Sequence, residues 1–128
     1  MSIERHGPIR IGIAEDQDDL RTAYVRLLQR LGHEVVFAAC NGEELLTASR
    51  TETIDLAVVD FDMPLVDGLT AAEDLAERGI PVILVSGHEE AEKIVLEEEP
   101  VVARLLKPAT LEGLQRAIAT AMMARRPR

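Results

Sequence analysis

Asp60 closes a run of strand-forming apolar residues, Leu56-Ala57-Val58-Val59, and Pro64 and Asp67-Gly68 follow within eight positions. A short apolar run bounded by such turn-forming residues reads as a fully buried strand. An acid at its carboxyl end sits where open α/β sheets place their ligand sites, so Asp60 is a candidate nucleophile or metal ligand. Four more groups with suitable chemistry stand just beyond similar runs: Glu15 and Asp16 after Ile9–Ala14, Ser86 after Pro81–Val85, and Lys107 after Val101–Leu106. Three converging carboxylates repel one another unless a cation neutralises them. An all-oxygen ligand set favours Mg²⁺, and a lysine and a hydroxyl opposite could hold the oxygens of a phosphoryl group.

These groups can converge only if the strands that carry them are parallel, and the intervening sequence supplies the crossovers. A helix is expected from about Asp18, with Leu20, Tyr24, Leu27 and Leu31 on one apolar face, two acids in its first turn and Gly32 as its stop. Glu34–Ala38 is the second strand. Asn41 with Glu44 three residues on resembles a capping box and opens a second helix through Leu45, Leu46 and Ala48. The third strand ends at Asp60, and a third helix runs from Gly68 to about Glu77, ending near Gly79. The fourth strand ends at Ser86, and a short, very acidic fourth helix is expected over 88–98, stopped by Pro100. The fifth strand ends at Leu106, and Thr110 caps a fifth helix with a stripe of Leu114, Ala117, Ile118 and Ala121. Continuous apolar strands joined by helices predict a doubly wound α/β sandwich with a parallel sheet covered on both faces.

Composition narrows the function. With 47% hydrophobic and 29% charged residues the chain should fold as one domain, its core spanning about 9–124 and a basic tail over 125–128. A net charge of −9 argues against direct nucleic-acid binding, and with no Trp, one Tyr and two Phe there is no stacking platform for single strands. The single cysteine, Cys40, is read as a small buried hydrophobe and fits a reducing compartment. No apolar stretch approaches the length of a membrane span and no signal-peptide pattern opens the chain, so a cytoplasmic location is expected.

The set resembles that of the response-regulator receiver domain, the phosphoacceptor module of two-component and phosphorelay signalling. The resemblance covers nearly the whole chain, in order: the acidic pair Glu15-Asp16, the Asp-x-x-Met-Pro-x-x-Asp-Gly segment from Asp60 to Gly68, Ser86-Gly87, and Lys107-Pro108. It implies a flavodoxin-like (βα)5 fold with strand order 2-1-3-4-5. It further implies that Asp60 is phosphorylated, forming a 4-aspartylphosphate, by a phosphohistidine on a sensor kinase or phosphotransfer protein. Mg²⁺ would be held by Asp16, by Glu15 through water, by Asp60 and by the backbone carbonyl of Asp62. Ser86 and Lys107 would hold phosphoryl oxygens, the Lys107-Pro108 bond would be cis, and small Gly87 would leave the approach to Asp60 open. The module would not turn over a substrate: it accepts its own phosphoryl group and loses it to water. Its output would appear on the face formed by the fourth helix, fifth strand and fifth helix, which is also a candidate homodimer surface and the route to a downstream protein.

Several positions depart from the commoner family pattern. Glu15 stands for the more frequent Asp, and Asp62 and His88 occupy positions that in the family influence phosphoryl-group lifetime, so the resemblance implies a tuning role for them. Arg104 stands three residues before Lys107, where the family usually carries an aromatic residue, and is expected to pair with Glu89, Glu90 or Glu92. Glu97–Glu99 is read as a solvated helix end placed unfavourably for the helix dipole. A rival enzyme reading takes Asp60 and Asp62 as the Asp-x-Asp of haloacid-dehalogenase-type phosphatases. The order is wrong for it, because the acidic pair precedes Asp60 instead of following the lysine. A nucleotide- or flavin-binding module would need a Gly-rich first loop, where this chain has Glu-Asp-Gln-Asp-Asp. A pseudo-receiver that never accepts phosphate is the remaining alternative.

Overall fold

The computed structural model describes residues 7–87 and 101–124. β1 (Arg10–Ala14), β2 (Glu34–Ala39), β3 (Leu56–Asp60), β4 (Val82–Ser86) and β5 (Val101–Leu106) form one sheet in the order β2-β1-β3-β4-β5. Every neighbouring pair is parallel, as expected from strands joined by helices. The crossovers described are α1 (Asp18–Arg30), α2 (Gly42–Thr51) and α3 (Gly68–Glu77), and the C-terminal helix spans Leu111–Ala124. The acidic helix expected over 88–98, with His88, Glu89, Glu90, Glu92 and Glu97–Glu99, lies outside the described residues, as does the tail 125–128.

Alternation along the strands divides the core into two layers. Ile11, Ile13, Leu56, Val58, Ile83 and Val85 face Tyr24 and Leu28 of α1 and Leu114 and Ile118 of the C-terminal helix. Ala14, Ala57, Val59, Val82 and Leu84 face Leu45 of α2 and Ala71, Ala72 and Leu75 of α3. β3 and β4 are buried along their whole length, so the residues that end them are carried out of water by the strands themselves.

The helix ends follow their local chemistry. Asn41 accepts the Glu44 N–H at 2.8 Å, Asp67 accepts the Thr70 N–H at 2.8 Å, and Thr110 accepts the Gly113 N–H at 3.0 Å. Gly32, with φ 92°, and Gly79, with φ 78°, end α1 and α3. Three sequence expectations need correction. Leu28, absent from the expected α1 stripe, is fully buried, while Leu20, Leu27 and Leu31 are only partly so. The Glu44 carboxylate reaches back to the N–H of Cys40 at 3.0 Å, one residue before the capping Asn41. Cys40 is half-buried, not a core residue, because it follows β2 at the edge of the sheet. Among the described residues no helix is long and apolar enough to cross a membrane.

Candidate functional site

The site forms where β1, β3, β4 and β5 end. In the β1–β3 register Ala14 pairs with Val59, so one step further Glu15 lies opposite Asp60. Phe61 continues the sheet by donating its N–H to the Val85 carbonyl at 2.8 Å. Lys107 does the same to the Ser86 carbonyl at 2.9 Å, which seats the lysine beside the β3 end. Glu15, Asp60 and Lys107 each stand two residues beyond a residue of the α1-facing layer, namely Ile13, Val58 and Leu105. Gly68 closes the loop after Asp60: a Cβ there would meet the Asp60 carbonyl oxygen at 2.4 Å. The Lys107-Pro108 bond is cis.

The polar groups are almost entirely withdrawn from water: Glu15 is 1% exposed, Asp60 2% and Ser86 1%, whereas Asp16 is exposed. Lys107 donates from Nζ to Asp60 Oδ1 at 2.9 Å and lies 3.9 Å from Glu15 Oε1. Asp60 Oδ1 also receives the Asp62 N–H at 3.3 Å, and Glu15 Oε2 receives the Gln17 N–H at 3.0 Å. Glu15 Oε1, Asp60 Oδ2 and Ser86 Oγ are buried with no hydrogen-bond partner.

Burial governs the ionisation of these groups. It pushes the Glu15 carboxyl up to about 7, a shift opposed by the Gln17 N–H and Lys107 and reinforced by the Asp60 charge. It pushes Asp60 up to about 6 in spite of the Lys107 bond. Burial works to lower the Lys107 pKa, but its bond to Asp60 and the charges of Asp60, Glu15 and Asp16 outweigh that, leaving it above the ordinary lysine range.

The donor set fits a hard divalent cation. One oxygen from each of Glu15, Asp16 and Asp60 lies within 4.8 Å of the others, the ligand type and charge that Mg²⁺ takes. Buried oxygens without hydrogen bonds cost free energy unless a ligand satisfies them. Two of the three buried oxygens without a hydrogen-bond partner, Glu15 Oε1 and Asp60 Oδ2, are on residues of this cluster.

The family model of the response regulator receiver domain matches residues 11–119. The chain belongs to that family. The receiver domain's curated relatives include the transcriptional regulatory protein PdtaR of Mycobacterium tuberculosis, 29% identical over 117 residues, covering 90% of this chain and 57% of the relative. The positive alginate biosynthesis regulatory protein of Pseudomonas aeruginosa is 37% identical over 112 residues, covering 83% of this chain and 44% of the relative. The receiver chain therefore spans about half the length of these curated relatives. Among solved structures, a response regulator receiver domain protein from Clostridium thermocellum superposes with a TM-score of 0.80 at 25% identity, over 89% of this chain and 94% of that one.

Glu15, Asp16, Asp60 and Lys107 are thus brought together, and Ser86 is buried at the end of the neighbouring strand, next to Val85, the register partner of Asp60. Gly87 is half-buried after β4. His88 lies outside the described residues. Asp62 is exposed and meets Asp60 through its backbone N–H, not its carboxylate. Arg104 is half-buried and pairs in register with Leu84. By strand alternation it belongs to the α2/α3 side of the sheet, away from Lys107; the acids expected to pair with it are not among the described residues. Sequence reasoning missed Arg21, which donates to the Glu15 carbonyl at 3.0 Å, and the hydroxyl of Tyr24, which accepts the Ala109 N–H at 3.3 Å. In the sequence Tyr24 reads as one member of an apolar stripe, and nothing local marks its hydroxyl as bonded across the fold.

Proposed function

We propose that this receiver domain accepts a phosphoryl group on Asp60 from a phosphohistidine of a sensor kinase or phosphotransfer protein, in a Mg²⁺-dependent reaction. The observation that carries the reading is Lys107 Nζ at 2.9 Å from Asp60 Oδ1 and 3.9 Å from Glu15 Oε1, where Asp60 Oδ2 and Glu15 Oε1 are buried without hydrogen bonds. Buried oxygens of this kind call for a water, an ion or a ligand group, and a phosphoryl group with its cation has the matching chemistry.

Glu15, Asp16 and Asp60 would hold the cation, with the Asp62 carbonyl as a further ligand. When bound, Mg²⁺ supplies positive charge against the equatorial phosphoryl oxygens. Asp60 Oδ2, free of hydrogen bonds, is the oxygen available to attack phosphorus in line with the departing imidazole nitrogen. Lys107 holds Asp60 through Oδ1 and takes up negative charge on the transferred group, while Ser86 Oγ donates to one of its oxygens. The product is an acyl phosphate, and its loss to water returns the carboxylate. There is no turnover of an external substrate, so the domain acts as a switch and not as an enzyme.

Asp62 and His88 would tune the lifetime of the phosphorylated form, with Gly87 leaving the approach open. Arg104 would carry the readout toward a downstream protein through the face formed by the expected fourth helix, β5 and the C-terminal helix, where self-association is also proposed. A cytoplasmic setting follows from this chemistry, since kinase and phosphodonor act there. Labelling with acetyl phosphate or beryllofluoride tests the reading: wild type should react only with Mg²⁺ present and Asp60→Asn not at all. Label retained by Asp60→Asn would overturn it.

A further inference from the structure

Two side chains of α1 reach the two loops that carry the site without being part of it. Tyr24, the only tyrosine of the chain, is 2% exposed. Its hydroxyl accepts the N–H of Ala109, two residues after Lys107, across 85 positions of sequence. Ala109 is itself buried, and a buried amide without a partner is costly. Lys107 is therefore fixed on both sides, by its own N–H on the Ser86 carbonyl and by Tyr24 behind Ala109. Leu or Phe would fill the same apolar space, so packing alone does not call for the hydroxyl.

Three residues earlier on the helix, Arg21 acts on the other loop. Its Nη1 donates to the Glu15 carbonyl at 3.0 Å, and its Nη2 pairs with the Asp18 carboxylate. Its N–H donates to the Gln17 carbonyl at 2.9 Å, and the Gln17 N–H holds Glu15 Oε2. Residues 15–18 thus form a closed set of hydrogen bonds centred on the Glu15 backbone, and Glu15 Oε1 is left pointing into the site. Residues three apart lie on the same side of a helix. α1 therefore holds the acidic loop with one side chain and the lysine loop with the other.

Resting on the phosphoacceptor reading above, we propose that Arg21 and Tyr24 are positioning residues with separable effects. Arg21 acts through Glu15 on cation affinity, and Tyr24 acts through Lys107 on phosphoryl transfer once the cation is bound.

The test uses the full chain and three readouts: the Mg²⁺ dissociation constant by calorimetric titration of the metal alone, the acetyl phosphate labelling rate at saturating Mg²⁺, and the melting temperature. Arg21→Gln should weaken Mg²⁺ binding about tenfold, as loss of groups that orient ligands does, with the saturated labelling rate nearly unchanged. Tyr24→Phe should leave the Mg²⁺ constant nearly unchanged and slow saturated labelling about tenfold, as small misplacements of reacting groups do. Both quantities moving together in either variant, or neither moving while only the melting temperature falls, would overturn the proposal. Should wild type take no label, the phosphoacceptor reading fails by itself, and the Mg²⁺ constant of Arg21→Gln still decides the Arg21 half. Should Tyr24→Phe not fold, biosynthetic 3-fluorotyrosine marks position 24 alone. Its fluorine resonance should then shift on Lys107→Ala, and a resonance that stays put would refute the coupling.

Discussion

Replacing Asp60 with asparagine should stabilise the metal-free protein at neutral and alkaline pH. The Asp60 side chain is 0% exposed, and its pKa is raised by burial from 3.8 to about 6 with the Lys107 bond already acting to lower it. A folded state that binds the proton more tightly than the unfolded chain loses stability as pH rises through that interval. The stability associated with protonated Asp60 is fully present below the unfolded value near 3.8 and is lost by the time pH passes about 6. Glu15, raised to about 7, works in the same sense up to a slightly higher pH. About two units at roughly 1.4 kcal/mol each give about 3 kcal/mol for Asp60 at pH 8. In a domain of this size that is a rise in melting temperature of about 10 °C. Asparagine keeps the shape of a protonated aspartate and removes the charge. Thermal unfolding of wild type and Asp60→Asn, followed by circular dichroism in chelator from pH 4 to pH 8, reads the difference directly. The gain should be largest at pH 8 and fall below about 1 kcal/mol at pH 4, where the folded wild-type carboxyl is already neutral. A variant no more stable than wild type at pH 8, or a gain of equal size at pH 4, would refute the reasoning.

Mg²⁺ should raise the melting temperature of wild type at pH 8, and by less in Asp60→Asn, because the proposed ion site is the folded acid cluster and the variant removes the charge of one of its acids; equal shifts in a thermal titration would count against the cluster as its site. Gly68→Ala should cost about 2 kcal/mol in denaturant unfolding and slow labelling, since a Cβ meets the Asp60 carbonyl at 2.4 Å and backbone must move. Leu65→Gly should stabilise by up to about 1 kcal/mol, because Leu65 is 72% exposed and holds φ 73°, a conformation costly for a branched side chain but open to glycine. Arg78→Ala should cost about 1–2 kcal/mol in the same assay, because the guanidinium bonds Ser49 of α2 and Asp74 of α3 at 2.8 Å each.

The parts of the fold that could be read from sequence are those where a single local signal decides the outcome. The β3 and β4 runs contain only apolar residues up to Asp60 and Ser86, and both strands are wholly buried. Caps at Asn41 and Thr110, and glycines at 32 and 79, set helix limits through bonds made within a few residues. The pairing of Glu15 with Asp60 and Lys107 was legible too, because each ends a strand of a parallel sheet. What escaped depends on contacts between distant segments. The Tyr24 hydroxyl meets an amide 85 positions away, and Arg21 reads as one more arginine on a charged helix until the Glu15 carbonyl is placed beside it. Cys40 looked like a core residue because its type is usually buried; its place after an edge strand decided otherwise.

Strand alternation also separates the two kinds of positive charge that β5 brings toward the site. Lys107 continues the face of Ala103 and Leu105, which packs against α1 and the C-terminal helix, and so meets Glu15 and Asp60. Arg104 differs from Lys107 by three positions, an odd step, and stands in register with Leu84 of the opposite layer. The guanidinium therefore does not join the cluster, and Lys107 is the one cation of the described residues in ion-pair contact with the buried carboxylates. One lysine against Glu15, Asp16 and Asp60 leaves an excess of negative charge, while burial raises the pKa values of Glu15 and Asp60, with the Asp60 charge adding to the shift at Glu15. The burial that makes Asp60 costly in the resting protein also removes the water that would compete for its free oxygen. On the proposed phosphoacceptor reading, the instability and the reactivity of this strand end have one cause. An addition that brings positive charge to the cluster relieves the first and enables the second.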